Sequence, residues 1–229
     1  MAKQKIVVLS GAGVSAESGL STFRDSGGLW DQYKIEDVCT PEAWQRNPEL
    51  VLEFYNKRRL QAAGVEPNSA HHAIAQLEKA FEVTVITQNV DDLHERAGSS
   101  DVLHLHGKLR SVRSSAETGY RADVGEKAVM LGDLCPKGHQ LRPDIVWFGE
   151  AVPNFDLALP IVAKADKVLV VGTSLTVYPA ASLVDYVKEG AECVLVSLDT
   201  DSIPSNFTSH QTAAGEAVPQ LVDDWLATT

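Results

Sequence analysis

At 229 residues, 44% of them hydrophobic, the chain is long enough to bury a full core as one large domain. Its formal net charge of −11 speaks against the broad cationic footprint of a nucleic-acid binder and favours basic partners such as lysine-rich segments. No apolar run is long enough to span a bilayer, no secretion signal is recognisable, and the three scattered cysteines Cys39, Cys135 and Cys193 suggest no disulfide framework, so a reducing, cytoplasmic setting is expected.

Ile6 to Leu9 is a continuous apolar, β-branched run, the pattern of a strand buried on both faces. Gly11, Ala12 and Gly13 follow, then Ser15 and Ala16. A strand that ends in glycines and opens into a helix leaves unpaired backbone N–H groups at a positive helix end, an anion site suited to a pyrophosphate. Gly11-x-Gly13-x-x-Ala16 fits the looser form of the dinucleotide fingerprint. Phe23, Arg24 and Asp25 come next, and Gly27-Gly28 adds a turn that would let the segment close over a ligand. Ordinary packing for Phe23 and a solvated loop for Arg24 are the bland alternatives.

Thr40-Pro41-Glu42 reads as a helix start with Thr40 as its cap. Pro48 to Ala63 is helical, with Leu52, Tyr55 and Arg59 recurring at three to four residues. Residues 32–75 are thus expected to form a helical insertion, and Pro67-Asn68-Ser69 to cap another helix, His71 to Ala80. Strands are expected at Val83–Ile86, Val102–His106, Lys167–Val171 and Cys193–Leu198, with extended structure from Ile145 to Phe148. Helices are expected at Phe155–Ala163, Ala180–Glu189 and Pro219–Leu226. Lys108 to Gln140 reads as irregular and polar, making 108–142 a second, smaller insertion. Alternating strands and helices imply an α/β fold with a doubly wound parallel sheet. Ligands bind such a sheet beyond the carboxyl ends of its strands, where Gly11, Gln88, His106 and Gly172 fall.

Gln88, Asn89 and Asp91 follow a strand end, where their side chains can pair with a carboxamide and a ribose or simply form an Asx-type turn. His104 and His106 share a face of a regular strand. They can be metal ligands, although no third His or Cys stands at a convincing spacing, or one of them a general base. Tyr55 and Arg58, three apart on a helix, share a face. Reaching into an apolar channel they would bind a carboxylate; otherwise, with Lys57 and Arg59 beside them, they belong to a solvated basic face.

GAGVSAESGLSTFRD, Thr87-Gln88-Asn89-Val90-Asp91, His106-Gly107, Val146-Trp147-Phe148-Gly149-Glu150 and Gly172-Thr173-Ser174 together resemble the ordered signatures of the sirtuins, NAD-dependent protein-lysine deacylases, over nearly the whole chain. The resemblance implies a Rossmann-like fold of one catalytic domain spanning 1–229, with the 108–142 insertion at the position of a zinc module. It implies that NAD is held by Gly11, Ala12, Gly13, Ser15, Phe23, Arg24, Gln88, Asn89, Asp91, Gly172, Thr173, Ser174 and Ser197, with Ala214 near a loosely matched adenine end. His106 is the implied catalytic base and Asn89 the implied partner in the nicotinamide pocket. A substrate peptide would add as a strand between Val146, Phe148 and Gly149 on one side and Leu175-Thr176-Val177 on the other. Tyr55 and Arg58 coincide with the Tyr-x-x-Arg of the subclass that removes succinyl and malonyl groups, so activity on acetyl and on acidic acyl groups is expected. The implied reaction transfers the acyl group to ADP-ribose with release of nicotinamide. A monomer acting on acyl-lysine proteins, without nucleic acid or membrane, is the expected state.

Two departures stand out. Of the usual zinc ligands only Cys135, and His139 one step late, remain, with Ser114 and Gly138 in place of cysteines, so no bound zinc is expected. Ser197 replaces a usual asparagine at the adenosine ribose, which predicts retained but weaker NAD binding. Mono-ADP-ribosyl transfer and a catalytically idle NAD-binding module are the alternative functions; a conventional dehydrogenase would need an acidic residue on a second strand, which is lacking.

Overall fold

The computed structural model describes residues 3–21, 32–199 and 203–228. Phe23 and Arg24 lie outside the described residues. Nine strands form two sheets among the described residues. Six are parallel: β1 (Lys5–Ser10), β2 (Glu82–Thr87), β3 (Val102–His104), β7 (Lys167–Val171), β8 (Glu192–Val196) and β9 (Thr208–His210), in the order β3-β2-β1-β7-β8-β9. The chain winds outward from β1 to β3 on one side, then returns to β7 beside β1 and winds outward the other way. The point where the order reverses, between β1 and β7, opens a crevice at their carboxyl ends.

Alternate residues of β1 feed the two sides of the sheet. Ile6 and Val8 pack with Ile74, Leu77, Val218 and Trp225, which come from the helix Ser69–Gln76, the 3₁₀ turn Leu77–Lys79 that follows it and the helix Ala214–Ala227. Val7 and Leu9 pack with Ala158, Val162 and Leu183 on the other face. The final helix starts five residues before the expected Pro219, which sits inside it. Proline cannot donate to the carbonyl one turn back. That carbonyl, of Gly215, instead accepts from Ser69 Oγ at 3.0 Å, which explains how the helix runs through the proline.

Several expected elements change. Residues 108–140 are not irregular throughout: β4 (Gly107–Ser114) pairs antiparallel with β5 (Arg121–Asp123) and β6 (Leu141–Ile145). A register shift between Gly107 and Val112 spaces the apolar Leu109 and Val112 three apart, and this breaks the period-two pattern that marks a strand. The third large-sheet strand stops at His104, short of His106, because Gly107 turns the chain with φ +84° into the small sheet. A Cβ there would meet the Asp144 carbonyl oxygen at 1.9 Å, so only glycine fits. Extended structure ends at Ile145, and Trp147 to Glu150 is a turn closed by Glu150 N–H on Trp147 C=O at 3.0 Å. Ala180–Tyr186 is a 3₁₀ helix and shorter than expected, β8 ends at Val196, and β9 carries no apolar residue to betray it.

The helix Pro48–Ala63 falls where expected, entered by Asn47 Oδ1 accepting from Leu50 N–H at 3.1 Å. Its Phe54 and Tyr55 pack on Leu109, Ile145 and Trp147 of the small sheet and the turn beyond it. Buried Arg59 fastens the two together, donating from Nε to Leu109 O at 2.7 Å and from Nη1 to Asn56 Oδ1 at 2.7 Å. The crevice is therefore bounded by the large sheet on one side and this helix–sheet module on the other.

Candidate active site

The ends of β1 and β7 touch. Gly11 N–H donates to Val171 O at 3.0 Å and Gly13 N–H to Gly172 O at 2.8 Å. A Cβ on Gly11 would lie 2.7 Å from Thr173 Cβ, one on Gly13 2.8 Å from Gly172 O, and one on Gly172, at φ +63°, 2.1 Å from Val14 N. The expectation that these glycines offer free N–H groups thus needs correcting: those of Gly11 and Gly13 are used in closing the two strand ends together. The glycines admit backbone against backbone, so the two strand ends close together to form the floor of the crevice.

Above that floor is a cavity of about 670 Å³. Along its floor, in strand order, come Ser197 after β8, Gly172 to Ser174 after β7, Gly11 to Ser15 after β1, Gln88 to Asp91 after β2 and His106 beyond β3. Ala214 lines it from the start of the last helix. Tyr55 and Arg58 line it from the helical module, and Val146, Phe148 and Gly149 from the turn after β6. Every predicted site residue among those described faces this one space.

The polar side chains are tied to each other. Asn89 Nδ2 donates to Ser15 Oγ at 3.0 Å, and Ser15 Oγ donates to Asp91 Oδ2 at 3.2 Å. Asp91 Oδ1 also accepts from Leu93 N–H at 3.2 Å, so the Asx-type turn and the site role coexist. Burial pushes the Asp91 carboxyl up, against the hydrogen bonds from Leu93 and Ser15. Gln88 Nε2 reaches across to Thr173 Oγ1 at 3.2 Å. His106 Nδ1 lies 3.1 Å from Gln88 O. A carbonyl only accepts, so Nδ1 carries the proton and Nε2 is the basic nitrogen. Burial lowers the pKa of His106, with the Gln88 hydrogen bond opposing, which keeps the ring neutral near pH 7.

His104 is buried and held at both ring nitrogens. Nδ1 lies 2.9 Å from Asn89 O and Nε2 2.9 Å from Glu95 Oε1. Lys108 Nζ donates to the same Glu95 oxygen at 2.9 Å. Glu95 is held down at about 2: its burial opposes this, and the His104 and Lys108 contacts overcome it. Among the described residues no group of three or more His, Cys, Asp or Glu side chains is placed to hold a metal ion.

Behind the floor His71 and His94 form a pair. His71 completes a capping box with Asn68, and its ring meets the His94 ring with centroids 4.8 Å apart. His94 Nε2 lies 2.9 Å from Ser10 Oγ, which donates to Thr87 Oγ1 at 2.8 Å, and Thr87 Oγ1 accepts from Asn89 N–H at 3.0 Å. His94 thus reaches the site through three hydrogen bonds. No signal in the sequence marks it, although it lies only three residues past Asp91, on the five-residue helix Leu93–Ala97.

The zinc module's donors do not fit a zinc ion. Cys135 Sγ donates to Ser114 Oγ at 3.6 Å, and Cys135 N–H to His139 O at 2.8 Å, so the backbone turn and a thiol–hydroxyl contact close the loop. A serine hydroxyl and one thiol are too few soft ligands for a tetrahedral site. We expect less than about 0.1 zinc per chain by elemental analysis after dialysis; a stoichiometric value would refute this.

A Sir2 family model matches residues 11–179. A protein of Bacteroides thetaiotaomicron named NAD-dependent protein deacylase is 57% identical over 226 residues, covering 95% of this chain and 96% of that protein. Among solved structures, a Sir2 homologue–NAD complex is similar with a TM-score of 0.86 and 41% identity, covering 99% of this chain and 91% of that one. A complex of Sir2 with a p53 peptide and NAD+ is similar with a TM-score of 0.79 and 30% identity, covering 98% of this chain and 95% of that one. With the matched region holding both strand ends, the Gln88–Asp91 turn and His106, the chain belongs to the Sir2 (sirtuin) family.

Proposed function

We propose that the chain is an NAD-dependent protein-lysine deacylase that removes acetyl groups and, through Tyr55 and Arg58, succinyl and malonyl groups. The observation that carries this reading is the meeting, in one cavity, of a glycine-floored strand crossover, a neutral imidazole with its Nε2 as base, and an arginine–phenol pair. Gly11, Ala12, Gly13 and Ser15, with Gly172, Thr173 and Ser174, would hold the phosphates, since all of them line the cavity where the two strand ends close together. Ser197 and Ala214 would hold the adenosine end, Gln88 the second ribose, and Asn89 with Asp91 the carboxamide. When bound, NAD supplies an electrophilic ribose carbon with nicotinamide as leaving group, so that the acyl group ends on ADP-ribose.

The protein's own part is to position and to move one proton. His106 Nε2 takes a proton from a ribose hydroxyl, and Gln88 O holds the resulting imidazolium through Nδ1–H. The Asn89–Ser15–Asp91 chain fixes the amide that reads the carboxamide. Backbone groups of Val146 to Gly149 and of Leu175 to Val177 would take the substrate as an added strand, which accepts many sequences. Glu150 supports that edge: Oε2 accepts from Trp147 N–H at 2.8 Å and its carboxylate pairs with Arg142 at 2.8 Å.

Tyr55 and Arg58 line the acyl end together with Cys39, and the charge of Arg58 is felt by Cys39, Tyr55 and Asp91. A carboxylate entering there meets the half-buried Arg58 guanidinium, and a hydrogen bond to a charged group contributes about 1.5–3 kcal/mol. Acetyl-, malonyl- and succinyl-lysine peptides with NAD, read by product mass, test the function. Nicotinamide release that needs no peptide would instead indicate ADP-ribosyl transfer. Arg58→Met is expected to lower kcat/KM for the succinyl peptide about 10- to 100-fold while leaving the acetyl peptide within about threefold. Equal effects on both peptides would sink the Tyr55–Arg58 assignment. Three unpaired, buried thiols fit a reducing compartment, and among the described residues no helix is long and apolar enough to cross a membrane. We place the protein in the cytoplasm, as a monomer acting on acyl-lysine proteins.

A further inference from the structure

The acyl end of the cavity holds a thiol with no part in the proposed reaction. Cys39 lies between the helix Ile35–Val38 and the Thr40 cap, and lines the same space as Tyr55 and Arg58. Its Sγ is 3.3 Å from the Tyr55 hydroxyl, which also accepts from Trp147 Nε1–H at 3.1 Å. An indole N–H can only donate, so it occupies one lone pair of the phenolic oxygen. One lone pair and the phenolic proton remain, and a thiol, both weak donor and weak acceptor, can serve either. Burial pushes the Cys39 thiol up, with Tyr55 and Arg58 opposing, and burial also raises the Tyr55 phenol. Both groups therefore keep their protons near pH 7.

The geometry points to Cys39 as a specificity-determining residue: its thiol is a reversible partner for the Tyr55 hydroxyl, which lets one pocket take both a neutral and a carboxylate-ended acyl group. The inference rests on the deacylase reading above. Against a neutral acyl chain the phenolic O–H finds no acceptor on the substrate and donates to Cys39 Sγ. Beside a carboxylate held by Arg58, the O–H turns to the carboxylate oxygen, and Cys39 S–H then donates to the phenolic oxygen. Only hydroxyl and thiol rotors change; no proton is transferred.

Cys39→Ala removes the partner that the neutral state needs, leaving a buried O–H without an acceptor, and takes from the acidic state only a weak donor. With NAD and one peptide carrying acetyl- or succinyl-lysine, we expect kcat/KM for acetyl to fall about 5- to 20-fold and that for succinyl to change less than about threefold. Cys39→Val, of similar bulk and without a polar atom, is expected to give the same shift in the ratio of the two. Cys39→Ser, again donor and acceptor, should bring the ratio back within about threefold of the unmodified protein. A ratio unmoved in the alanine and valine variants, equal losses on both peptides, or a serine variant that behaves like alanine overturns the inference. Absence of NAD-dependent turnover of either peptide by the unmodified protein counts against the deacylase function itself, and is distinct from an unmoved ratio.

Discussion

Replacing His106 with alanine is expected to lower kcat about 10²- to 10⁴-fold, the usual contribution of a positioned general base. The ring sits at the cavity wall with Nδ1 on Gln88 O at 3.1 Å, so the neutral tautomer presents Nε2 as its base. Burial depresses its pKa below the ordinary 6.5, so the neutral form is the resting state at pH 7. The acid limb of the pH–rate profile should accordingly fall below about pH 6.5, the reference value for a free imidazole. Because none of the phosphate-floor contacts involves His106, the Kd for NAD should change less than about threefold, the loss of a contact made only during reaction. An alanine variant that keeps kcat within about threefold of the unmodified enzyme, measured under saturating NAD and peptide, would remove this residue from the chemistry.

The second large effect is on stability. Burial holds His71 at about 4 and His94 at about 3 in the folded chain, each further lowered by a neighbouring histidine. In the unfolded chain both take the ordinary value near 6.5. As pH falls below 6.5, the unfolded chain therefore binds two protons that the folded chain refuses, and stability drops. Above 6.5 both states are neutral and these rings add no pH dependence. At about 1.4 kcal/mol per pH unit per ring, denaturation at pH 5 rather than 6.5 should show about 3–4 kcal/mol less stability. That is a large share of a typical net stability of about 5–15 kcal/mol. Most carboxylates are still ionised in that window, so the histidines dominate it; Glu95, held at about 2, adds its own loss in the same direction below about pH 4.5. His94→Gln should roughly halve the slope between pH 6.5 and 5, although it also lowers stability at every pH by losing the contact with Ser10. An unchanged slope in that variant, read from urea midpoints across the window, would show that the pair does not govern acid stability.

The elements that could be read from the chain are those whose signal is local. The helix Pro48–Ala63 carries its own cap at Asn47 and its proline in the first turn, and β7 is a continuous apolar run, so each was legible to the residue. The small sheet was not, because a register shift destroys its period and its pairing is with residues about 30 positions away, as Val112 is with Pro143. β9 is three exposed residues that become a strand only because β8 offers an edge. The site was legible as a set of residues: the described members of the motif set do converge on one cavity. What each member does there was less so. The glycines read as free donors, yet Gly11 and Gly13 spend their N–H groups on β7.

By itself the sequence determined the family, the parallel α/β architecture and the identity of the cavity-lining groups, since these depend on residue type and order. Tertiary structure alone decided that a backbone carbonyl assigns the His106 tautomer, that His94 reaches Asn89 through Ser10 and Thr87, and that a thiol meets the Tyr55 phenol at the cavity wall. Apart from the local bond of Asn89 to Thr87, each of those is a contact of about 3 Å between residues 16 to 84 positions apart. Such contacts are set by how the strand ends and the helical module close on each other, and no local periodicity encodes that closure.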